Sequence, residues 1–189
     1  MSAQDSKLFV ISGPSGAGKG TLVTRVRERR SNLGLTVSAT TRAPRKGEVD
    51  GVNYFFLTRE EFDRRVANGE FVEWAEVHGN CYGTLVSEVT SKLASGASLI
   101  LEIDVQGALQ VKERFPEAVL IFIKPPSLEV LLERLVGRGT ETPETIELRM
   151  ANAADELALA DRYDDVVVND DLDRATDELV RVLDMHERI

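Results

Sequence analysis

The sequence predicts an α/β fold in which a parallel central sheet carries helices on both faces. Strand-like and helix-like segments alternate over residues 8–38 and again from residue 98 onward. Such alternation is typical of βαβ units, whose connections place helices on the two faces of one sheet. Residues from about 39 to 87 interrupt it with a segment richer in strands, which predicts a lobe inserted into the sheet domain.

Composition narrows the classes of protein to which the chain can belong. It has 189 residues, 42% hydrophobic and 29% charged, which is ordinary for a globular domain with a buried core. No apolar run approaches the roughly 18 residues that a membrane-spanning helix needs, and the N-terminus carries no apolar signal segment. We therefore expect a cytoplasmic protein without a membrane partner. The single cysteine, Cys81, excludes an internal disulfide framework.

The net charge of −9 bears on the choice of partners. A strongly acidic chain matches the phosphate surface of a nucleic acid poorly, so we expect no nucleic-acid partner. A local cationic cluster formed by Arg42, Arg45 and Lys46 fits small anionic ligands instead. The composition leaves the oligomeric state open.

The first predicted strand, residues 8–11, runs into the segment GPSGAGKGT of residues 13–21 and then into a helix. Strand, glycine-rich turn and helix are the context that a phosphate-binding P-loop requires. Glycine adopts positive φ, so successive backbone N–H groups can converge on an anion, and the helix adds the positive end of its dipole. Lys19 can place its ammonium group on the outer phosphates of a nucleotide. The alternative is a flexible turn with a surface lysine.

One position departs from the P-loop pattern. Gly20 follows Lys19 where a serine or threonine usually supplies a hydroxyl to Mg²⁺, and the hydroxyl comes one residue later at Thr21. We therefore expect no direct protein ligand to the metal. Phosphates and water would hold Mg²⁺, which this ion tolerates well.

The lobe segment contains several shorter elements. Residues 35–39 predict a short strand, and the glycine-, proline- and charge-rich residues 40–57 end in an aromatic strand. The capping box Thr58-x-x-Glu61 predicts a helix over residues 60–68. Residues 71–77 predict a strand in which Trp74 belongs to the core, residues 79–80 a turn, and residues 86–94 a helix.

The second half returns to regular alternation. Residues 98–104 are apolar up to their final carboxylates, which predicts a central parallel strand buried on both faces. Further strands are predicted at residues 118–123 and 165–168, and helices up to residue 115 and over about 127–136, 145–159 and 172–187. Ligands in such sheets bind at the carboxyl ends of the strands, so the P-loop and Asp104 should share one edge.

Four groups of side chains are candidates for chemistry, and each has a plainer alternative. Asp104 can orient Mg²⁺ or its waters, or it is a strand-end acid bonded to a neighbouring turn. Arg42 and Arg45 can grip a phosphate bidentately, or they belong to a solvated loop. Arginines on a mobile segment can stabilise a transferring phosphoryl group on closure, or they are ordinary helix-surface residues. The three at issue are Arg134, Arg138 and Arg149.

Glu73 is the fourth candidate and lies in the alternating segment FVEWAEV. A carboxylate there can accept hydrogen bonds from two adjacent N–H donors, which a guanine edge offers and an adenine edge does not. The alternative is an exposed position on an edge strand. His78 and His186 are isolated in the sequence, so we expect no histidine metal site.

Together these stretches resemble the guanylate kinase family over nearly the full chain. The segment Thr40-Thr41-Arg42-x-x-Arg45-x-x-Glu48-x-x-Gly51-x-x-Tyr54-x-Phe56-Leu57 fits that family's signature at every fixed position. The blocks GPSGAGKGT, EWAEVHGNCYGT, LEIDVQGA, RLVGRGTET and VVVND also occur in the family's order. Gly20 replaces a hydroxyl residue that many members carry, and Cys81 stands where an aromatic residue is common.

The resemblance implies specific roles for residues of this chain. It implies a GMP site lined by Ser38, Arg42, Arg45, Glu48, Tyr54, Glu73, Tyr82, Thr84 and Asp104. Within it, Arg42, Arg45, Tyr54 and Tyr82 would hold the phosphate, and Glu73 would be the chief reader of guanine. It implies an ATP site made of Gly13, Pro14, Ser15, Gly16, Ala17, Gly18, Lys19, Gly20, Thr21 and Asn169. The residues implied to act on the transferring group are Lys19, Arg42, Arg134, Arg138 and Arg149.

The implied fold is a three-layer P-loop kinase with a GMP-binding lobe and a lid. Its core would comprise residues 1–38, 86–136 and 151–189, the GMP-binding lobe residues 39–85 and the lid residues 137–150. The implied reaction transfers the γ-phosphoryl group of ATP to GMP or dGMP, with Mg²⁺, in purine nucleotide metabolism and GMP recycling. Two alternatives share the fold: a non-catalytic module that binds phosphorylated peptides, and a kinase for another phosphorylated sugar or nucleotide.

Overall fold

The computed structural model describes residues 6–77, 79–137 and 142–188 and confirms the α/β class. The elements in chain order are β1 (Leu8–Ser12), α1 (Lys19–Arg29), β2 (Gly34–Leu35), β3 (Ala39–Thr40), β4 (Phe55–Phe56), α2 (Arg59–Ala67), β5 (Phe71–Val77), β6 (Asn80–Leu85), α3 (Val86–Ala94), β7 (Leu99–Glu102), α4 (Val105–Arg114), β8 (Val119–Lys124), α5 (Leu128–Gly137), α6 (Pro143–Leu157), β9 (Asp165–Val168) and α7 (Leu172–Glu187). None of the described helices is both long and apolar enough to span a bilayer.

The central sheet has five parallel strands in the order β2-β7-β1-β8-β9. The middle strand β1 pairs with β7 from Leu8 opposite Leu99 to Ile11 opposite Glu102, and with β8 on its other side. All five β1 residues are buried. A parallel strand covered on both faces is expected to be continuously apolar, and β1, β7 and β8 all show this pattern.

Helices cover the two faces of this sheet with separate apolar clusters. On one face, α1 and α7 pack on β1 through residues such as Leu22, Val26 and Leu179. On the other face, α3 and α4 pack through Val89 and Val111. The sheet therefore holds the ends of its strands in a fixed arrangement, including the end from which the glycine-rich loop leaves.

A second sheet of four strands, in the order β4-β3-β6-β5, forms the inserted lobe. β3 pairs parallel with β4 and antiparallel with β6, and β6 pairs antiparallel with β5. The single strand predicted over residues 35–39 is wrong. Its first residue, Leu35, pairs with Ile100 in the central sheet, and its last residue, Ala39, pairs with Gly83 in the lobe sheet. Residues 36–38 connect the two sheets because one strand cannot belong to both.

A β-bulge shapes the edge strand β5. Its register with β6 shifts between Phe71 and Glu73, so two successive side chains turn toward α4. Val72 packs with the core residues of α4, and a carboxylate oxygen of Glu73 lies 3.3 Å from where a Cβ on Gly107 would be. The next side chain, Trp74, consequently points outward and is 41% exposed, so its prediction as a core residue is wrong.

The tight contact between β5 and β6 generates a test of the lobe. A Cβ on Gly83 of β6 would lie 2.7 Å from the carbonyl oxygen of Glu73, a rigid neighbour. We expect Gly83→Ala to lower the free energy of unfolding by about 1–3 kcal/mol in urea denaturation, because the strands must separate. The control is Gly137→Ala, where a Cβ meets no atom within 4 Å. If Gly83→Ala unfolds at the parent's midpoint, the close approach of these strands is wrong.

Candidate functional site

The glycine-rich loop between β1 and α1 packs too closely against its neighbours to carry side chains at its glycines. A Cβ on Gly13 would lie 2.2 Å from the carbonyl oxygen of Ile123 in β8. Gly16 and Gly18 adopt φ values of 91° and 90°, which other residues rarely adopt. The loop therefore leads into the first turn of α1 with its backbone N–H groups available to an anion.

Lys19 is the first residue of α1 and folds back over this loop. Its ammonium nitrogen donates to the carbonyl oxygens of Gly13 at 2.6 Å and Pro14 at 3.1 Å. These bonds hold a positive charge beside the anion-binding backbone, so Lys19 lies where its predicted role requires. The alternative of a flexible turn with a surface lysine does not describe this arrangement.

Asn169 directly follows β9, the edge strand of the central sheet, and supports the loop. It is only 6% exposed, and its side-chain amide donates to the carbonyl oxygen of Ala17 at 2.8 Å. A Cβ on Gly18 would lie 2.4 Å from the same amide nitrogen. Asn169 thus lies at the predicted nucleotide site, and it also supports the loop itself.

Two of the three predicted lid arginines lie near the glycine-rich loop, Arg149 through a bond to the loop and Arg134 through a bond to Asn169, which supports it. Arg134 of α5 donates to the carbonyl oxygen of Asn169 at 2.8 Å, and Arg149 of α6 donates to the hydroxyl of Ser15 at 2.6 Å. Neither is an ordinary helix-surface arginine. Arg134 lines a cleft of about 480 Å³ together with Gly16, Gly18, Thr21, Gly137, Asn169, Asp170 and Leu172. Arg138 lies outside the described residues.

Carboxylates approach the loop from the end of β7. Asp104 caps α4, because one of its carboxylate oxygens accepts the backbone N–H of Gly107 at 2.7 Å. Asp104 is thus an acid bonded to the following turn, as the plainer alternative expects, through one of its two carboxylate oxygens. Asp104 also interacts electrostatically with Glu73 of the lobe and with Glu156 of α6, which in turn interacts with Lys19. It therefore lies between the lobe and the loop.

Glu102 is a residue of the site that the sequence analysis does not single out. Its carboxylate oxygen lies 3.5 Å from where a Cβ on Gly20 would be, beside the first turn of α1. Burial raises the pKa of Glu102, and the charge of Lys19 partly offsets this. The signal available in the sequence is its place as the last residue of a buried strand next to the loop. The sequence analysis selects Asp104, two residues later, as the candidate acid of this strand.

The lobe carries a compact cationic cluster. The guanidinium group of Arg42 bonds both carboxylate oxygens of Glu48, at 2.8 and 3.0 Å, and Glu48 also accepts the backbone N–H of Arg45 at 2.6 Å. The same guanidinium group lies 5.4 Å from the ring centre of Tyr54, whose ring is 6.2 Å from that of Tyr82. The bond to Arg42 lowers the pKa of Glu48 and raises that of Arg42. The cluster thus holds the guanidinium group of Arg42 close to the ring of Tyr54, with the ring of Tyr82 next to it.

Glu73 is a buried carboxylate and not an exposed residue of an edge strand. It is 8% exposed, and the bulge in β5 aims it at the N-terminus of α4. Burial is the main cause that raises its pKa from 4.5 to about 7, and the nearby charge of Asp104 adds to this. Contact with Thr84 on β6 lowers the pKa in part. Such a costly group is expected where a ligand supplies donors.

The predicted GMP-site residues therefore lie on one lobe sheet and its connections. Ser38 lies in the segment that joins the two sheets, and its carbonyl oxygen accepts the backbone N–H of Phe55 at 2.9 Å. Thr84 lies opposite Glu73 on β6, and Tyr82 lies two residues earlier on the same strand. The geometry thus presents a glycine-rich loop with Lys19 folded over it, a cationic cluster around Arg42, and a buried acid, Glu73, on the lobe sheet.

Comparison with known proteins identifies the family. The family model described as guanylate kinase matches residues 5–186. The chain belongs to the guanylate kinase family. A guanylate kinase of Gloeobacter violaceus is 57% identical over 178 residues, covering 94% of this chain and 87% of that one. A second, of Halalkalibacterium halodurans, is 51% identical and covers 97% of this chain and 90% of its own length.

Solved structures agree with this family. The crystal structure of guanylate kinase from Anaplasma phagocytophilum superposes with a TM-score of 0.72 at 36% identity, covering 96% of this chain and 86% of that chain. The resemblance drawn from the sequence motifs is thereby confirmed.

The buried Glu73 predicts a pH-dependent cost to stability. Its pKa is higher in the folded chain than in the unfolded one, so stability falls as the pH rises from about 4.5 through 7. Glu73→Gln is neutral throughout this range. In urea denaturation, the free energy of unfolding of Glu73→Gln relative to that of the parent should rise by roughly 2–3 kcal/mol between pH 5 and pH 8.

The control for this prediction is Glu76→Gln on the same strand, where the side chain is 49% exposed. Its difference from the parent should vary little with pH. An advantage of Glu73→Gln that is flat across the same pH range would show that Glu73 is not buried as described.

Proposed function

We propose that this chain transfers the γ-phosphoryl group of ATP to GMP, giving ADP and GDP, with the residue roles set out below. The observation that carries the proposal is the buried Glu73. Its side chain is buried opposite Thr84, two residues along β6 from Tyr82 of the lobe cluster, and the charge of Asp104 acts on it. GMP phosphorylation requires a paired-donor reader, a phosphate cluster and a nucleotide loop, and the chain has a candidate for each.

The lobe cluster would receive the phosphate of GMP. Arg42 can exchange its contact with Glu48, made through one guanidinium nitrogen, for a bidentate one with the phosphate, and Arg45, Tyr54 and Tyr82 would supply further donors. Glu48 keeps the guanidinium group in place between turnovers. Arginine suits this position better than lysine because its planar fork matches two phosphate oxygens at once.

The base would be read by Glu73 with Ser38, Thr84 and Asp104 around it. Guanine presents two adjacent N–H donors, and both would bond to the Glu73 carboxylate. Adenine lacks that pair and would leave a buried carboxylate unpaired, which is strongly unfavourable. The assigned residues contact the base and the phosphate and leave the sugar aside, so we propose that dGMP is also accepted.

ATP would bind residues 13–21, with Lys19 on its phosphates and its base near Asn169 and Arg134. No group of three or more acidic, histidine or cysteine side chains in the described residues could itself hold a metal ion. The carboxylate of Glu102 beside Gly20 and that of Asp104 nonetheless fit Mg²⁺ held through phosphates and water. Held near these two carboxylates, Mg²⁺ would offset the negative charge of the phosphates.

The transfer step would need positioning and charge more than proton chemistry. A phosphate oxygen of GMP is already a competent nucleophile, so no general base is required. Arg149, whose guanidinium group reaches Ser15 of the loop, and Arg134 would offset charge on the moving phosphoryl group. Arg138 is assigned the same role by the family motif. Closure of the lobe and of the proposed lid, residues 137–150, would exclude water.

A substrate panel tests this function. We expect ADP release from Mg-ATP with GMP and dGMP, and rates at least about 10³-fold lower with AMP, CMP and UMP, because only guanine satisfies Glu73. Coupled detection of ADP measures all five reactions. Equal turnover with AMP would remove the assigned role of Glu73. No turnover with any substrate, while GMP still binds, would favour the non-catalytic module.

Lys19→Ala tests the loop. We expect turnover to fall by about 10²-fold or more, with GMP affinity close to the parent's, because the ATP phosphates lose their ammonium contact while the lobe is unchanged. The thermal unfolding midpoint should fall no further than in the control, since each variant loses a lysine bonded to backbone carbonyl oxygen. The control is Lys112→Ala, which also removes a lysine bonded to a backbone carbonyl oxygen but lies away from the loop. Near-parental turnover of Lys19→Ala would remove the loop lysine from the mechanism.

A further inference from the structure

The lobe joins the central sheet through two short connections. The first is residues 36–38, between Leu35 of the central sheet and Ala39 of the lobe sheet. In the second, β6 ends at Leu85 and α3 begins at the next residue. The first connection includes Ser38, which is assigned to the GMP site. The position of this residue therefore depends on how the connection is held.

Two side chains of α3 hold the backbone of the first connection. A carboxylate oxygen of Glu88 accepts the N–H of Val37 at 2.8 Å, and the ammonium nitrogen of Lys92 donates to the carbonyl oxygen of Leu35 at 2.7 Å. Glu88 and Lys92 also form an ion pair of 2.5 Å on one face of the helix, where the Glu88 side chain is only 11% exposed. We call this pair and its two backbone contacts the α3 clamp.

The α3 clamp links the two connections to each other. Because α3 begins where the second connection enters the core, its first turns touch both crossings. The effect continues beyond Val37, since the carbonyl oxygen of Ser38 accepts the backbone N–H of Phe55. Tyr54 directly precedes Phe55 in the chain, and its ring faces Arg42 in the cationic cluster of the lobe. A shift of residues 36–38 would therefore move both ends of the GMP site.

We propose that Glu88 and Lys92 are positioning residues for GMP, an inference that rests on the proposed function. Neither is assigned to the substrate or the reacting atoms. By fixing the backbone at Leu35 and Val37, they keep the lobe in the arrangement that binds GMP. Without the α3 clamp, the lobe adopts other arrangements as well. The apparent affinity for GMP then falls in proportion to the fraction of molecules whose lobe can still bind GMP. The P-loop, on another strand, is unaffected.

The chain contains a second clamp of the same chemistry, which supplies a matched control. The ammonium nitrogen of Lys112 donates to the carbonyl oxygen of Ala118 at 2.8 Å and pairs with Asp164 at 3.0 Å. Asp164 accepts the N–H of Leu120 at 2.8 Å. In both clamps, a lysine and a carboxylate bind two backbone groups that belong to residues i and i+2. This clamp holds the start of β8, at the opposite edge of the central sheet from the loop.

The experiment compares steady-state kinetics of Lys92→Met, Glu88→Ala and the control Lys112→Met. We expect the first two to raise KM for GMP about three- to tenfold, the range for losing one ordinary, partly buried hydrogen bond, with kcat and KM for ATP within about twofold. Lys92→Arg keeps a donor and a charge and should restore most of the GMP affinity. Lys112→Met should lower the thermal midpoint comparably and leave KM for GMP unchanged.

Several results would overturn the proposal. One is an unchanged KM for GMP in both α3 variants. Another is an equal rise of KM for GMP in Lys112→Met, because the effect would then come from a general loss of stability. If Glu88→Ala does not fold, Glu88→Gln replaces it, since its amide oxygen still accepts from Val37 while the ion pair is lost; its KM should lie between those of parent and Lys92→Met. The parent's own turnover with GMP tests the proposed function separately.

Discussion

The parallel register of β1 with its two neighbours is the constraint on which the rest of the molecule depends. Because Ile11 pairs with Glu102 and Ser12 with Phe122, the three strands end at one edge of the central sheet. The glycine-rich loop, the acids that follow β7 and the residues after β9 must therefore meet there. Apolar burial on both faces maintains this register, so the core that stabilises the fold also aligns the chemistry.

The carboxylates at this edge of the sheet lower the stability of the fold when they are ionised. Glu73 is buried with its pKa raised to about 7 by desolvation, and Asp104 next to it makes ionisation harder. A fold selected for stability alone would place an apolar side chain there. A buried carboxylate with a strongly raised pKa is typical of a functional site. Partial desolvation also raises the pKa of Glu102, whose carboxylate lies beside the first turn of α1 although the residue is exposed at the sheet edge.

Local patterns predicted much of this molecule. The strands β5 and β9 and the helices α3 and α7 begin and end where the sequence predicts, because their periodicity and caps are local properties. Predictions about Glu73, Trp74 and residues 35–39 depended on which sheet each residue joins. The bulge in β5 decides the first two, since one additional residue in the ladder reverses which side chains face the core.

The sequence alone determined the α/β class, the phosphate loop and the family, because each rests on residue types at fixed spacing along the chain. Only the tertiary structure decided what those residues do to one another. It brought Asn169 under the loop across 152 residues of chain and Arg149 to Ser15 across 134. It also revealed Glu102 at the loop and the α3 clamp at the lobe. Such contacts follow from how helices and strands pack, and packing between distant segments leaves no periodic trace in a single sequence.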